Sequence, residues 1–489
     1  MSEPASVPFT ETKAPESAER LHRGALSLID ISASTMANIG PAYSFFFGFG
    51  FLVFTAGVAA PLTILVAGIA IAFLGNTLAQ FSRAQPSTGG FISFVGKTFG
   101  GTSAVATALL VGAGYIIAIS SVFAISGGFL SDVLKYYFGW NIPWIILSVV
   151  LTAAATVMTI RGVGVSTKLA GLFFAFEMVI LVVVSVAILI KSGGHLSFVP
   201  FEPSHITHGF SGLAAGFPLA IYLFIGWENS AALAEETGNP RRNVPRAVYL
   251  SILMMVAGYI LFAFATVTGY GYSGSKLAAQ AIPFIPVAHA VAAFLGFLAY
   301  VAGFTSTIGV LISAINSQAR LIFNAGREGL LPRWIGRIHS SRRTPMNAIY
   351  TFVAIASLII IVWAVGHLIG GHAQRGQMNA LNFFVESSTM GTILVLVVYF
   401  LANLALPFYY RRYRPSEFNV FKHAVLPVLG LIAIGVPMYY LVKPGQAAPY
   451  DWFPYAALGV VVIAVIYGFF LNRRDPALGG RVGSIVADE

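Results

Sequence analysis

Residues 221–248 read IYLFIGWENSAALAEETGNPRRNVPRAV, and the fold turns on this stretch. An apolar run reaches Phe224-Ile225 and meets Gly226, Trp227 and Glu228. It resumes, then ends in Glu235-Glu236, Asn239-Pro240, three arginines and Pro245. A carboxylate inside an apolar segment of membrane-crossing length is costly, and marks a functional site. The glycine beside it predicts an interrupted helix whose freed backbone groups bind something.

The rest of the chain agrees. It is 57% apolar and 9% charged, where a soluble domain carries about 25% charged residues. With a mean hydropathy of +0.81, the class is an all-α polytopic membrane protein. Spans are predicted at 26–50, 54–80, 102–131, 142–160, 168–190, 210–232, 247–271, 285–318, 346–369, 380–405, 424–442 and 453–471, twelve in all, with 285–318 overhanging the bilayer. With both termini cytoplasmic, 23 of the 28 basic residues fall inside, including Lys13 and Arg20. Outside lie Lys135, Lys191, Lys276, Arg375 and Lys443. This follows the rule that cytoplasmic loops collect Lys and Arg, and places the chain in a plasma (inner) membrane facing anionic lipid.

The net charge of +10 is scattered over short loops, so no nucleic-acid partner is expected. Cys is absent and the nine His form no tight ligand pair, so no metal or cofactor site and no enzyme chemistry is expected. Residues 1–24 are polar with four Glu, a tail rather than a signal peptide.

The first span, SLIDISASTMANIGPAYSFFFGFG, carries Asn38, Gly40 and Pro41 near its middle. Proline removes a donor and clashes with the preceding turn, while glycine is free to leave helical space. Two interrupted spans at matching places in two halves point to a transporter site. Spans 1–5 and 6–10 would form inverted repeats, with two helices appended. The domains are then a tail 1–24, repeats 25–195 and 196–410, a helix pair 411–472 and a tail 473–489.

Three blocks then resemble the amino acid–polyamine–organocation superfamily of secondary transporters. FSRAQPSTGGFISFVGKTFG, 81–100, is similar to its P-x-AGG-x-Y-x-Y-V-x-x-x-FG pattern. The opening stretch matches F-x-G-x-E followed by AEE-x-x-NP-x-R-x-x-PRA. ARLIFNAGREGLLPRWIGRIHSSRRTPMNA, 319–348, resembles the loop after the eighth span. The resemblance implies a five-plus-five inverted fold with alternating access and a substrate loop at Asn38, Ile39, Gly40, Pro41, Ala42 and Tyr43. It implies an aromatic gate at Tyr222, an intracellular-gate glutamate at Glu228, and Glu235 and Glu236 at the cytoplasmic end of the sixth helix.

Three departures stand out. Ile39-Gly40-Pro41-Ala42 replaces the usual G-S-G-x-F and looks more like the S-P-x-x-x-F of putrescine-type importers. Glu177 stands where proton-coupled relatives keep a lysine. Ala314 replaces an aromatic, which implies a roomier site.

Phe224, Gly226 and Trp227 complete the expected substrate-binding set. Buried carboxyls load and release protons or serve as counter-ions for amines, so Glu177, Glu228 and Glu386 are the proton-coupling or gating candidates. Asp30 reads as an interface residue, and Thr305-Ser306-Thr307 as hydroxyls bonded to their own helix. The expected function is proton-coupled import of an amino acid or related organic amine. A polyamine importer, an exchanger, or a transporter-like nutrient sensor remain the alternatives.

Overall fold

The computed structural model describes Leu21 and residues 23–193, 195–370 and 378–482. Lys13, Arg20 and Arg375 lie outside the described residues, as do most of the tail 1–24 and residues 483–489 of the tail 473–489.

Ser27 and Asp30 cap each other at the start of helix α1 (Leu28–Ile39). Gly40 then adopts a left-handed conformation, φ 65°, and α2 (Pro41–Ala56) restarts with proline at its first position. The expected gap at 51–53 is absent. A single turn at Gly57–Ala59 leads straight into α3 (Ala60–Ala84). A short α4 (Phe91–Phe99) precedes the 38-residue α5 (Gly101–Phe138), the most enclosed of the long helices. Next come α6 (Trp144–Ile160) and α7 (Val163–Lys191).

The second interrupted element is α8 (Gly209–Tyr222), six unwound residues, and a single turn α9 (Asn229–Ala232). Helix α10 (Pro240–Gly269) begins seven residues before its predicted span, drawing the basic cluster into its first turns. After α11 (Gly274–Ala278), the predicted span 285–318 proves to be two helices. Residues of α12 (Phe284–Val291) and α13 (Ala293–Arg327) are parted by an extended Ala292. Gly296 sits so close to His289 that α12 folds back on α13. Hydropathy records apolar letters and not chain direction, which is why one span was expected there. The chain closes with α14 (Met346–Ile369), α15 (Ala380–Tyr413), α16 (Leu426–Val442), α17 (Phe453–Arg474) and the single turn α18 (Leu478–Arg481).

Among the described residues there is no strand, only an isolated bridge between Leu26 and Thr237. Among the described residues, nine helical segments are long and apolar enough to cross a membrane. Helices α14, α16 and α17 lie at the rim, with Ile361, Val362, Ile432, Ile463 and Ile466 exposed as lipid-facing side chains. Inside, small residues set the spacing, as expected where lipid is as apolar as leucine. A Cβ on Gly391 of α15 would lie 2.7 Å from the Ala118 Cβ of α5, so these two helices approach at backbone distance. A polar seam crosses the same region, where Thr77 donates to Asn403 (2.7 Å).

Candidate functional site

The two breaks meet. Asn38 Nδ2, at the end of α1, donates to the Gly226 carbonyl in the unwound segment (3.2 Å). Gly226 holds φ 106°, and a Cβ there would lie 2.7 Å from Asn38 Nδ2. Only glycine accepts that conformation without strain. Gly226→Ala is therefore expected to cost about 1–3 kcal/mol from the backbone alone, with further loss from the contact to Asn38. An unaltered thermal unfolding midpoint in detergent would show that the segment relaxes freely.

The N-terminus of α2 faces the scaffold. Ala42 N donates to Glu177 Oε2 on α7 (3.1 Å), and Tyr43 N donates to Ser306 Oγ on α13 (3.0 Å). Glu177 is fully enclosed and thus belongs to the break itself. Thr305 and Thr307 bond carbonyls of their own helix as expected, but Ser306 turns to the break.

On one side of the breaks lies an aromatic layer. Tyr43 and Tyr222 share a hydroxyl–hydroxyl bond (3.0 Å), and both rings meet Phe384 edge-on at 5.8 Å. Phe47 packs on Tyr43, Phe384 and Phe129. Beyond this layer, towards the end of α5, a cavity of about 330 Å³ is lined by Phe47, Phe51, Phe129, Asp132 and Trp144.

On the other side, Glu228 accepts the Tyr115 hydroxyl, which also meets Tyr399 OH at 3.5 Å. Trp227 is buried between Phe91 and Tyr399. Further along, on the face where the chain begins, Arg320 binds Glu236 with two nitrogens (2.5 and 3.1 Å) and Arg327 binds Glu235 (2.8 Å). The backbone of Leu21 donates to Glu235 Oε1 (2.9 Å), and Leu26 exchanges hydrogen bonds with Glu236 and Gly238. The cavities touching the breaks are about 50 Å³, beside Tyr222 and Ser388, and about 20 Å³, beside Glu228 and Tyr115. Both are far below the roughly 300 Å³ of a small-ligand pocket.

The expected residues sort themselves accordingly. Asn38, Gly40, Pro41, Ala42, Tyr43, Tyr222, Gly226, Glu177 and Glu228 come together. Ile39 reaches the site by its carbonyl, which accepts Ser44 Oγ (2.6 Å). Phe224 points away and packs edge-on against Tyr259 at 5.3 Å. Trp227 packs among aromatics below the break. Glu386 stands apart, held by Trp363 Nε1 on α14 (2.7 Å). Ala314 is fully buried and lines neither of these two small cavities. Sequence reasoning missed Tyr115, Tyr399 and Arg320, and gave Ser306 a bond to its own helix where it accepts from Tyr43 N.

A helical membrane protein in which two interrupted helices meet at an enclosed polar centre is, by class, a solute transporter. The chain belongs to the amino acid permease family, whose sequence profile matches residues 24–467, and through it to the amino acid–polyamine–organocation superfamily. Its relatives are transporters and not enzymes. It is 24% identical over 299 residues to the uncharacterized amino acid permease YecA of Bacillus subtilis, covering 59% of this chain and 66% of that one. It is 22% identical over 449 residues to the branched-chain amino acid permease BcaP of the same species (86% and 87% covered). To the Asc-type amino acid transporter 1 of Mus musculus it is 25% identical over 382 residues (76% and 70% covered).

Proposed function

We propose that the protein is a secondary active transporter that imports an amino acid or related organic amine together with protons. The observation that carries this reading is the meeting of the two breaks at Asn38 and Gly226, with Glu177 bound to the restarting α2.

Twelve passes in two inverted repeats accord with the helix lengths. The 57-residue segment Leu28–Ala84 is long enough to cross twice. The shorter apolar α6 and α8 bring nine segments to twelve. Residues 25–195 and 196–410 are the repeats, and 411–472 the appended pair. Both termini face the cytoplasm of a plasma membrane, so the Arg320–Glu236 side is cytoplasmic and the 330 Å³ cavity opens outward.

Substrate sits between Asn38–Tyr43 and Tyr222–Gly226. The Tyr43–Tyr222–Phe384 layer is the outer gate. Glu228 with Tyr115 and Tyr399, backed by the two ion pairs, is the inner gate. Glu177 is the proton-coupling group, because it spans the interface between a moving half-helix and the scaffold. Glu386, tied to Trp363, is given no coupling role.

Flux into proteoliposomes tests this. Radiolabelled leucine or lysine should accumulate when the outside is acidic, and a protonophore should abolish accumulation. Accumulation only when unlabelled substrate is preloaded would make the protein an exchanger. Saturable binding without flux would make it a sensor.

A further inference from the structure

Helices α5 and α15 run antiparallel at backbone distance, and their small residues face each other in register. A Cβ on Gly114 would lie 3.1 Å from the Leu394 Cβ, and one on Gly128 would run into Ala380, on either side of the Ala118–Gly391 contact. Ser121 stands one turn along α5 from Ala118, towards Gly128. Ser388 stands one turn along α15 from Gly391, in the same direction through the fold. The two serines are therefore level with each other on one tightly packed helix pair, and both are buried. Each spends its proton on its own helix. Ser121 Oγ donates to the Ala118 carbonyl (2.5 Å) and Ser388 Oγ to that of Val385 (3.2 Å). A hydroxyl has one proton and two lone pairs, so towards any other group these serines can only accept.

The donors come from the interrupted helices. Tyr43 belongs to α2 and Tyr222 to α8, and the bond between their hydroxyls (3.0 Å) uses one of their two protons. Both hydroxyls also interact with Ser121, and that of Tyr222 with Ser388 as well. The second tyrosine proton thus has serine oxygens as its acceptors. A buried hydroxyl that loses its partner is costly. The tyrosines can therefore meet at this level only while the serines receive them.

We propose that Ser121 and Ser388 are the positioning residues of the outer gate. They form an acceptor platform on α5 and α15 that holds Tyr43 and Tyr222 together, so that an uncharged hydroxyl lock joins the two half-helices to the scaffold. Removing an acceptor then shifts the resting population towards the outward-open state. This rests on the transporter reading above and deepens its account of the gate.

The chain has no cysteine, so Ser306→Cys, at the break behind the tyrosines, places a single thiol there. Its labelling by a membrane-impermeant thiosulfonate, added outside intact cells, reads outward opening. In that background Ser121→Ala and Ser388→Ala are expected to label about fivefold faster or more, as their open fraction rises. Ser388→Thr keeps the hydroxyl, and the cavity beside it has room for a methyl, so it should label at the parent rate. Tyr222→Phe deletes the same bonds from the other side with its ring intact, and should label as fast as the alanine variants. It decides the matter alone if those do not fold. Uptake by the faster-labelling variants should show a lower KM together with a lower kcat. Unchanged labelling in the alanine variants and in Tyr222→Phe overturns the inference. So does equally fast labelling in Ser388→Thr, which would assign the effect to packing. Absence of solute flux in the wild-type protein removes the transporter reading instead, and does not alter the labelling ratios.

Discussion

Replacing Arg320 with methionine is expected to destabilise the protein by about 3–5 kcal/mol. The guanidinium is fully buried and spends its donors on named partners. Nε and Nη2 bind the two Glu236 oxygens, and Nη1 binds the carbonyl and the side-chain oxygen of Asn316 (2.8 and 3.0 Å). Bidentate geometry makes this one of the strong hydrogen-bonded pairs. Removing one partner strands Glu236, itself buried, as a charge without a counter-ion. The penalty comes from that orphan rather than from the lost attraction. The double replacement Arg320→Met with Glu236→Leu should therefore recover most of the stability. Unfolding of the purified single variant in detergent reads the effect. A midpoint equal to wild type would mean that water reaches Glu236 and that the latch is loose.

Replacing Glu177 with glutamine should abolish pH-driven accumulation, by at least about tenfold, which corresponds to about 1.4 kcal/mol. Glutamine keeps the length of the side chain and an oxygen that can accept from Ala42 N, so α2 keeps its cap. What disappears is the ability to carry a proton. Substrate-for-substrate exchange, which needs no net proton movement, should persist and so report that the protein is folded. Accumulation unchanged in Glu177→Gln would move the coupling role to Glu228, whose carboxyl holds the Tyr115 hydroxyl.

Local irregularities were legible in the sequence because they leave local traces. Gly40-Pro41 and Gly226-Trp227-Glu228 announce interrupted helices by residue type alone, and both interruptions stand where expected. Pairings across the fold leave no such trace. Asn38 and Gly226 are 188 positions apart, and nothing in either segment names the other. Ser306 was read with its neighbours as bonding its own helix, which Thr305 and Thr307 do. Its different role follows from the helix face it occupies. Tyr115 and Tyr399 were overlooked among apolar letters. The one clue was that a tyrosine hydroxyl buried in a membrane helix needs a partner. The error at 285–318 has the same origin, since hydropathy reports how apolar a stretch is and is silent about where it turns.

The short pairing of Leu26 with Glu236 and Gly238 gives the molecule its own chronometer. The amides of Leu21, Leu26 and Gly238 are each held by a single hydrogen bond of 2.9 Å that ties the start of the chain to the far end of the interrupted sixth span. If that face must part for solute to leave, these three hydrogens become replaceable by deuterium only during the parting. Native-state exchange reads such local openings directly. Two backbone hydrogens near the start of the chain and a third at Gly238 would then count the openings of the proposed passage, with no label attached and no substrate identified.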